Sequence, residues 1–316
     1  MAKSERAPVP PQDLARAARL LTVRSRREAT GLFAGNYASA FRGGGLEFEE
    51  SRPYVPGDDV RTLDWNATAR HGEPFVKLYR EERDQTLVFA LDVSASMRFG
   101  TAGQAKAGTA AHALALMAAA AGRAGDRVGL VAFDATVRTR VPPGRGAAHT
   151  WRVIRSAVEA ADASAGATSL AAGLRAARAG AGRHATLIAL SDFRDPALLG
   201  DGGGSSLLRA ELADLARRHD VVAAVLLDPR EETLPSAGPV RIADPERPGV
   251  SLVLDTGSRR ARERYREACT RRRQHLEREL RRGGANVLWL RTDRSPFFAL
   301  ARFFRERAAR RFRVPR

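Results

Sequence analysis

The chain is expected to fold as an α/β protein, a central and mostly parallel sheet with helices on both faces, beside a small β-rich subdomain. Three observations lead there. Short apolar runs of strand length recur at Leu87 to Leu91, Val128 to Phe133, Thr186 to Leu190, Val221 to Leu227 and Asn286 to Leu290. Runs that are apolar throughout suit strands buried on both faces. Helical stretches separate them, and strands alternating with helices imply βαβ units and a parallel sheet. Finally, several of these strands end in oxygen-bearing residues, at the carboxyl edge where open α/β sheets bind ligands.

Residues 1–21 are read as an N-terminal helical segment. Leu14, Ala17, Ala18 and Leu21 recur at spacings of three and four, which makes Asp13 to Leu21 a short amphipathic helix. A basic stretch, Arg24 to Arg27, and the glycine-punctuated GLFAGNYASAFRGGG follow. The triple glycine at 43–45 is a turn and not a phosphate loop. It lacks a Gly-Lys-Ser/Thr ending and no apolar strand leads into it.

Residues 22–84 form the β-rich region. Leu46 to Glu50 and Phe75 to Arg80 are strands, and Pro56-Gly57 marks a turn between them. Asp58, Asp59 and Asp64 lie among Arg52, Arg61 and Arg70, with Tyr54 and Trp65 expected to pack over them. A structural Arg–Asp network is favoured there over a catalytic one, since charge networks beside aromatics hold loops in shape.

Residues 85–316 form the α/β domain. The strand Leu87 to Leu91 runs into Asp92-x-Ser94-x-Ser96, one carboxylate and two hydroxyls in a loop. Oxygen donors without nitrogen or sulfur suit a hard cation such as Mg2+. An alanine-rich helix spans Gly103 to Gly122; Val128 to Phe133 and Thr136 to Val141 are paired strands; Thr150 to Ala161 is a helix. Ala167-Thr168-Ser169 opens the helix that runs to Ala179, and Asp192 follows the strand Thr186 to Ser191. Taken singly, Ser94 and Thr168 would be helix caps and Asp192 a turn residue. Taken together, Asp92, Ser94, Ser96, Thr168 and Asp192 converge on one edge of one sheet. After the helix Ser206 to Arg217 and the strand Val221 to Leu227, residues 229–257 interrupt the alternation. Val240 to Ala243 and Val250 to Leu254 read as a hairpin, expected to join the N-terminal β-rich region. Ser258 caps a long helix to Arg282, with Ala261, Tyr265, Cys269, Leu276 and Leu280 on its apolar side. Asn286 to Leu290 is the last strand, and Ser295-Pro296 starts the last helix.

The charge is lopsided. The segment from Arg259 onward holds twenty Arg and six acidic residues, a net +14 of the chain's +17. Such a face could meet nucleic acid, acidic lipid or an acidic protein. Lys is confined to Lys3, Lys77 and Lys106. Cys269 is the only cysteine, so no internal disulfide forms, which suits a reducing compartment. No apolar leader precedes the first helix, and the longest apolar run, Ala113 to Ala121, is half of a membrane span. A soluble, cytoplasmic protein with no transmembrane span is expected.

Two resemblances add to this reading. Asp92, Ser94, Ser96, Thr168 and Asp192 match the metal-ion-dependent adhesion pattern, and residues 86–310 resemble a von Willebrand factor A domain. That resemblance implies Mg2+, or Mn2+ or Ca2+, held by Asp92, Ser94, Ser96 and Thr168, with Asp192 acting through water. An Asp or Glu carboxylate of a partner protein would complete the shell. Phe48, Arg52, Tyr54, Pro56-Gly57-Asp58, Arg61, Asp64-Trp65 and Ala69-Arg70 are similar to the signature of the bacterial "domain of unknown function 58" family. LSDFRD at 190–195, LDPREETLP at 227–235 and PVRIADPERPGVSLVLDT fit it too. The resemblance implies association with MoxR-type AAA+ ATPases. Many members carry N-terminal membrane spans; none is read here.

An enzyme is not expected. The six His are scattered, Ser94 has no base partner in view, and no Walker A segment is present. The function read from the sequence is a metal-dependent protein–protein adaptor working with such an ATPase in complex assembly or remodelling. The alternative is nucleic-acid or acidic-surface binding by the Arg-rich helix 258–282. Glu263, Glu267, Glu277 and Glu279 recur there at helical spacing and only Tyr265 could stack, so nucleic acid is not expected as the partner.

Overall fold

The computed structural model describes residues 18–25, 27–28, 37, 40, 46–81, 85–101, 103–163, 166–182, 184–195, 204–245 and 249–311. Residues 18–25 are helical, while 13–17 and the triple glycine at 43–45 lie outside the described residues, as does the side chain of Arg61. Two compact units emerge, Phe41–Gln85 and a larger one made of Met1–Ala40 with Thr86–Arg316. The boundary expected near residue 22 is therefore corrected to about residue 40.

The smaller unit is an antiparallel pair, β1 (Leu46–Pro53) and β2 (Phe75–Glu81), with a register shift between Phe48 and Glu50. Helix α1 (Trp65–His71) lies between them in sequence. Asp64 caps it, its carboxylate accepting from the backbone N–H groups of Asn66 and Ala67 at 3.1 and 3.2 Å.

The larger unit is built on six strands: β3 (Thr86–Asp92), β4 (Arg127–Phe133), β5 (Val137–Gly144), β6 (Thr186–Ser191), β7 (Asp220–Leu227) and β10 (Asn286–Arg291). Their order is β10-β7-β6-β3-β4-β5, all parallel except β5, which closes one edge antiparallel to β4. The chain starts in the middle at β3, builds outward through β4 and β5, then returns to lay β6 on the other side of β3. The strand order thus reverses between β3 and β6, the place where such sheets open a crevice at their carboxyl ends.

The apolar strands are buried on both faces, as their composition demands. On one face Val88, Ala90, Val131, Phe133, Ala189 and Val225 pack with helices α4 (Leu170–Ala181), α5 (Gly204–Ala216) and α6 (Arg259–Arg282). Leu87, Phe89 and Leu91 alternate to the other face. There α2 (Lys106–Ala124) packs against β3 and β4 and against α3 (Ala147–Ala163) and α7 (Pro296–Arg311). Fifteen residues of α2 are buried, so it is a core helix with no polar face. Gly173 lets α4 approach the sheet: a Cβ there would stand 2.4 Å from the Phe133 ring.

Among the described residues, strands β8 (Pro239–Ala243) and β9 (Ser251–Asp255) pair only with each other, and they group with the larger unit. The joining of this hairpin to the N-terminal β-rich region is corrected on that ground. Its base is closed internally: the Thr256 hydroxyl donates to the Gly238 carbonyl at 2.8 Å and accepts from Ala237 N–H at 3.0 Å.

Candidate metal centre

The site grows from the end of β3. Leu91 stands beside Leu190 in the β3–β6 register, so the next step brings Asp92 beside Ser191. The Ser191 hydroxyl donates to Asp92 Oδ2 at 2.5 Å. Asp92 Oδ1 accepts from Ser94 N–H at 2.9 Å, a side-chain turn that folds the loop back over the strand end. A short 3-10 turn, Ala95–Arg98, follows, and the Ser94 and Ser96 hydroxyl oxygens lie 3.3 Å apart. From the loop before α4, the Thr168 hydroxyl donates to Asp92 Oδ2 at 3.2 Å. Ser96 hydrogen-bonds the Asp192 carboxylate. All five residues singled out in the sequence are therefore in one buried cluster, each less than a tenth exposed.

Backbone contacts hold the loops in register. Ala95 N–H donates to the Gly166 carbonyl at 2.9 Å and Ser169 N–H to the Asp134 carbonyl at 2.9 Å. Asp195 caps α4 by accepting from Leu170 N–H at 2.9 Å. Phe193, fully buried, takes φ of 54°, a left-handed conformation uncommon for a bulky residue. It fixes the turn between Asp192 and Asp195.

Four groups beyond the five predicted residues complete the cluster: Lys106, Glu231, Arg194 and Ser191. Lys106, fully buried at the start of α2, places Nζ 2.5 Å from Asp192 Oδ2 and 2.8 Å from Glu231 Oε1. Arg194 also reaches Glu231, at 2.9 Å. Ser191 was read only as the last residue of a strand. Lys106 had one sequence signal, its rarity among fifty arginines. Glu231 had none beyond its place in LDPREETLP.

The two carboxylates differ in charge environment. Burial pushes the Asp92 carboxyl up to about 7, Asp192's charge adds to the rise, and hydrogen bonds from Ser191 and Ser94 oppose it. Burial would raise Asp192 as well, but Lys106 and Arg194 outweigh it and hold that carboxyl below its ordinary value. Among the described residues no Lys, Arg or His forms an ion pair with Asp92. Nor do they contain a cluster of three or more His, Cys, Asp and Glu arranged to hold a metal. The donor set is two carboxylates with hydroxyls, all oxygen, around a carboxylate short of positive charge. Such a set fits a hard divalent cation.

The signature residues of the smaller unit are engaged within that unit. Arg52 grips Asp58 with both guanidinium nitrogens, at 2.8 and 2.7 Å, and Val55 N–H adds a third bond at 2.9 Å. Gly57, at φ of 110°, makes that turn possible. Asp64 caps α1 and accepts from Ser51 at 2.6 Å. Arg70 donates to the Asn66 carbonyl at 3.2 Å. Tyr54 is half-buried, but Trp65 is 72% exposed, so the expected packing of Trp65 over the network is corrected: it stands on the outer side of α1.

On α6 many arginines are occupied within the protein: Arg259 with Glu263, Arg271 with Glu267, Arg281 with Glu277, and Arg273 with Glu232. No helix among the described residues is long and apolar enough to cross a membrane.

Comparison with known proteins adds a family. The chain is 33% identical over 296 residues to uncharacterized proteins of Mycobacterium tuberculosis and Mycobacterium bovis, covering 93% of this chain and 90% of theirs. Among solved structures it is similar to a conserved hypothetical protein, BatB, from Bacteroides thetaiotaomicron. That match has 17% identity over 71% of this chain and 99% of that one, with a TM-score of 0.44. An aerotolerance-related membrane protein from Bacteroides fragilis matches at 16% identity over 72% and 98%, with a TM-score of 0.41. Likenesses of that size carry nothing about activity. The family described as "Protein of unknown function DUF58" matches residues 50–275, a span that holds every residue of the cluster around Asp92. The chain belongs to that DUF58 family.

Proposed function

We propose that this protein is a metal-dependent protein–protein adaptor whose larger unit is a von Willebrand factor A-like domain. The observation that carries the reading is the convergence of Asp92, Ser94, Ser96, Thr168 and Asp192, from the ends of β3 and β6 and the loop between α3 and α4, on the point where the strand order reverses. Asp92, Ser94, Ser96 and Thr168 would hold Mg2+, or Mn2+ or Ca2+, and Asp192 would orient a water beside it. When bound, the cation supplies an open coordination position for a carboxylate. The residues themselves fix the hydroxyl rotors, exclude bulk water and, through the Ser191 and Ser94 hydrogen bonds, oppose the burial that favours a proton on Asp92. The cluster holds no His, and the hydroxyls of Ser191 and Thr168 donate to Asp92, the carboxylate this reading gives to the cation, so we read a binding site and not an enzyme.

The partner would present an Asp or Glu, and the family resemblance points to a MoxR-type AAA+ ATPase acting on a protein complex in the cytoplasm. Affinity purification of nuclease-treated lysates tests this, comparing wild type with Asp92→Ala, in Mg2+ and in chelator. An AAA+ ATPase that co-purifies only with wild type in Mg2+ is the expected result. The same proteins retained by Asp92→Ala in chelator would sink the reading.

A further inference from the structure

Lys106 stands where helix physics disfavours it. It is the first residue of α2, where the N-terminal end of the helix dipole repels a positive charge. It is also fully buried, in a chain that uses arginine for nearly every other cation. Its ammonium bridges Asp192 and Glu231, and the Phe99 ring lies over it with its centroid 5.8 Å away. Glu231 has a second cation in Arg194 and a backbone role, accepting from Asp228 N–H at 3.0 Å in a capping box. Glu231 is thus held in place by groups other than Lys106. Asp192 faces the cluster, and Lys106 is its nearest cation, with Arg194 farther off at 3.7 Å.

We propose that Lys106 is a resident counter-ion that sets the charge balance of the centre. It neutralises Asp192 from within the protein, so a divalent cation at Asp92 meets one effective carboxylate instead of two. The site thereby trades cation affinity for affinity toward an incoming anion, because the bound cation keeps excess positive charge. This inference rests on the metal reading of Asp92, and it assigns a role to a residue that the adhesion pattern does not contain. A compact ammonium suits the task, since a guanidinium fork would demand planar partners.

Mn2+ titration calorimetry tests it, with melting in chelator and circular dichroism as controls for folding. Lys106→Gln keeps a hydrogen-bond donor and removes the charge; Mn2+ binding should tighten by on the order of tenfold. Lys106→Met keeps the length of the side chain and loses the charge, and it should tighten Mn2+ binding to the same degree, so that the effect follows the charge and not the Gln amide. Unchanged or weaker binding by folded Lys106→Gln and Lys106→Met would overturn the inference. In both of those cases binding that still needs Asp92 leaves the metal reading standing. If Mn2+ binding is absent in wild type and Lys106→Gln, or is indifferent to Asp92→Asn, the metal reading falls and takes this inference with it.

Discussion

Asp92 and Asp192 leave the ends of two neighbouring parallel strands, both buried, yet burial and mutual repulsion hold the proton on one of them alone. Asp92 is pushed up to about 7, while Lys106 keeps Asp192 ionised. An acid raised above its unfolded value of about 4 costs the folded state stability as pH rises from there toward 7. In chelator, Asp92→Asn should therefore melt higher than wild type at pH 8 and about equal to it at pH 4. Added Mg2+ should raise the melting temperature of wild type and leave that of Asp92→Asn unmoved. Scanning fluorimetry across both conditions decides it.

The opposite sign applies at Asp228. Burial would raise its carboxyl, but hydrogen bonds from Thr101 and Thr292 outweigh it and hold it below the ordinary range. A depressed acid contributes stability that is present above its unfolded pKa and is lost as pH falls through the folded one. Asp228→Asn should be less stable than wild type at pH 7. The gap should narrow below about pH 4, where wild type takes up the proton. Urea midpoints at both pH values provide the comparison.

Gly173→Ala asks for a methyl group where the Phe133 ring already stands. Phe133 is fully buried and has no room to withdraw. The variant should lose about 1–3 kcal/mol to overpacking, measured by urea denaturation. Phe133→Leu should restore part of that loss when combined with it.

Arg52 holds Asp58 through two parallel bonds that a lysine ammonium cannot reproduce. Arg52→Lys should loosen the turn around Pro56-Gly57 while leaving the Asp92 cluster intact. Limited proteolysis should show faster cleavage between residues 53 and 60, with Mn2+ affinity unchanged.

Much of the sheet and of the centre was legible in the sequence, and the reasons are local. The apolar runs, the Asp92-x-Ser94-x-Ser96 alternation and the residues just past β6 each fall within a few positions of a strand end, where period and composition report directly on structure. The parts that were not legible depend on contacts across long stretches of chain. Lys106 meets Asp192 and Glu231 across 86 and 125 residues, so neither ion pair is visible in spacing. The hairpin at 239–255 was expected to join the N-terminal β-rich region, but it groups with the larger unit. It satisfies its own edge within β8 and β9. Trp65 read as packing because aromatics beside charge networks commonly do, but the cap at Asp64 turns it outward.

The long sequence separations at the centre also set when it can form during synthesis. Ser191 reaches Asp92 across 99 residues, Glu231 reaches Lys106 across 125, and Asp228 reaches Thr101 across 127. A nascent chain that has emerged only through β5 has the first loop and none of its counterparts. The carboxylate of Asp92 is then still hydrated and has no oriented neighbour. The full set of contacts can form only once β6 lies beside β3 and the turn after β7 has brought in Glu231. Non-local pairings of this kind are slow to form. Cation capture would therefore mark chains whose sheet is nearly finished, and a ribosome-bound or truncated chain ending before residue 228 should present no handle to a partner.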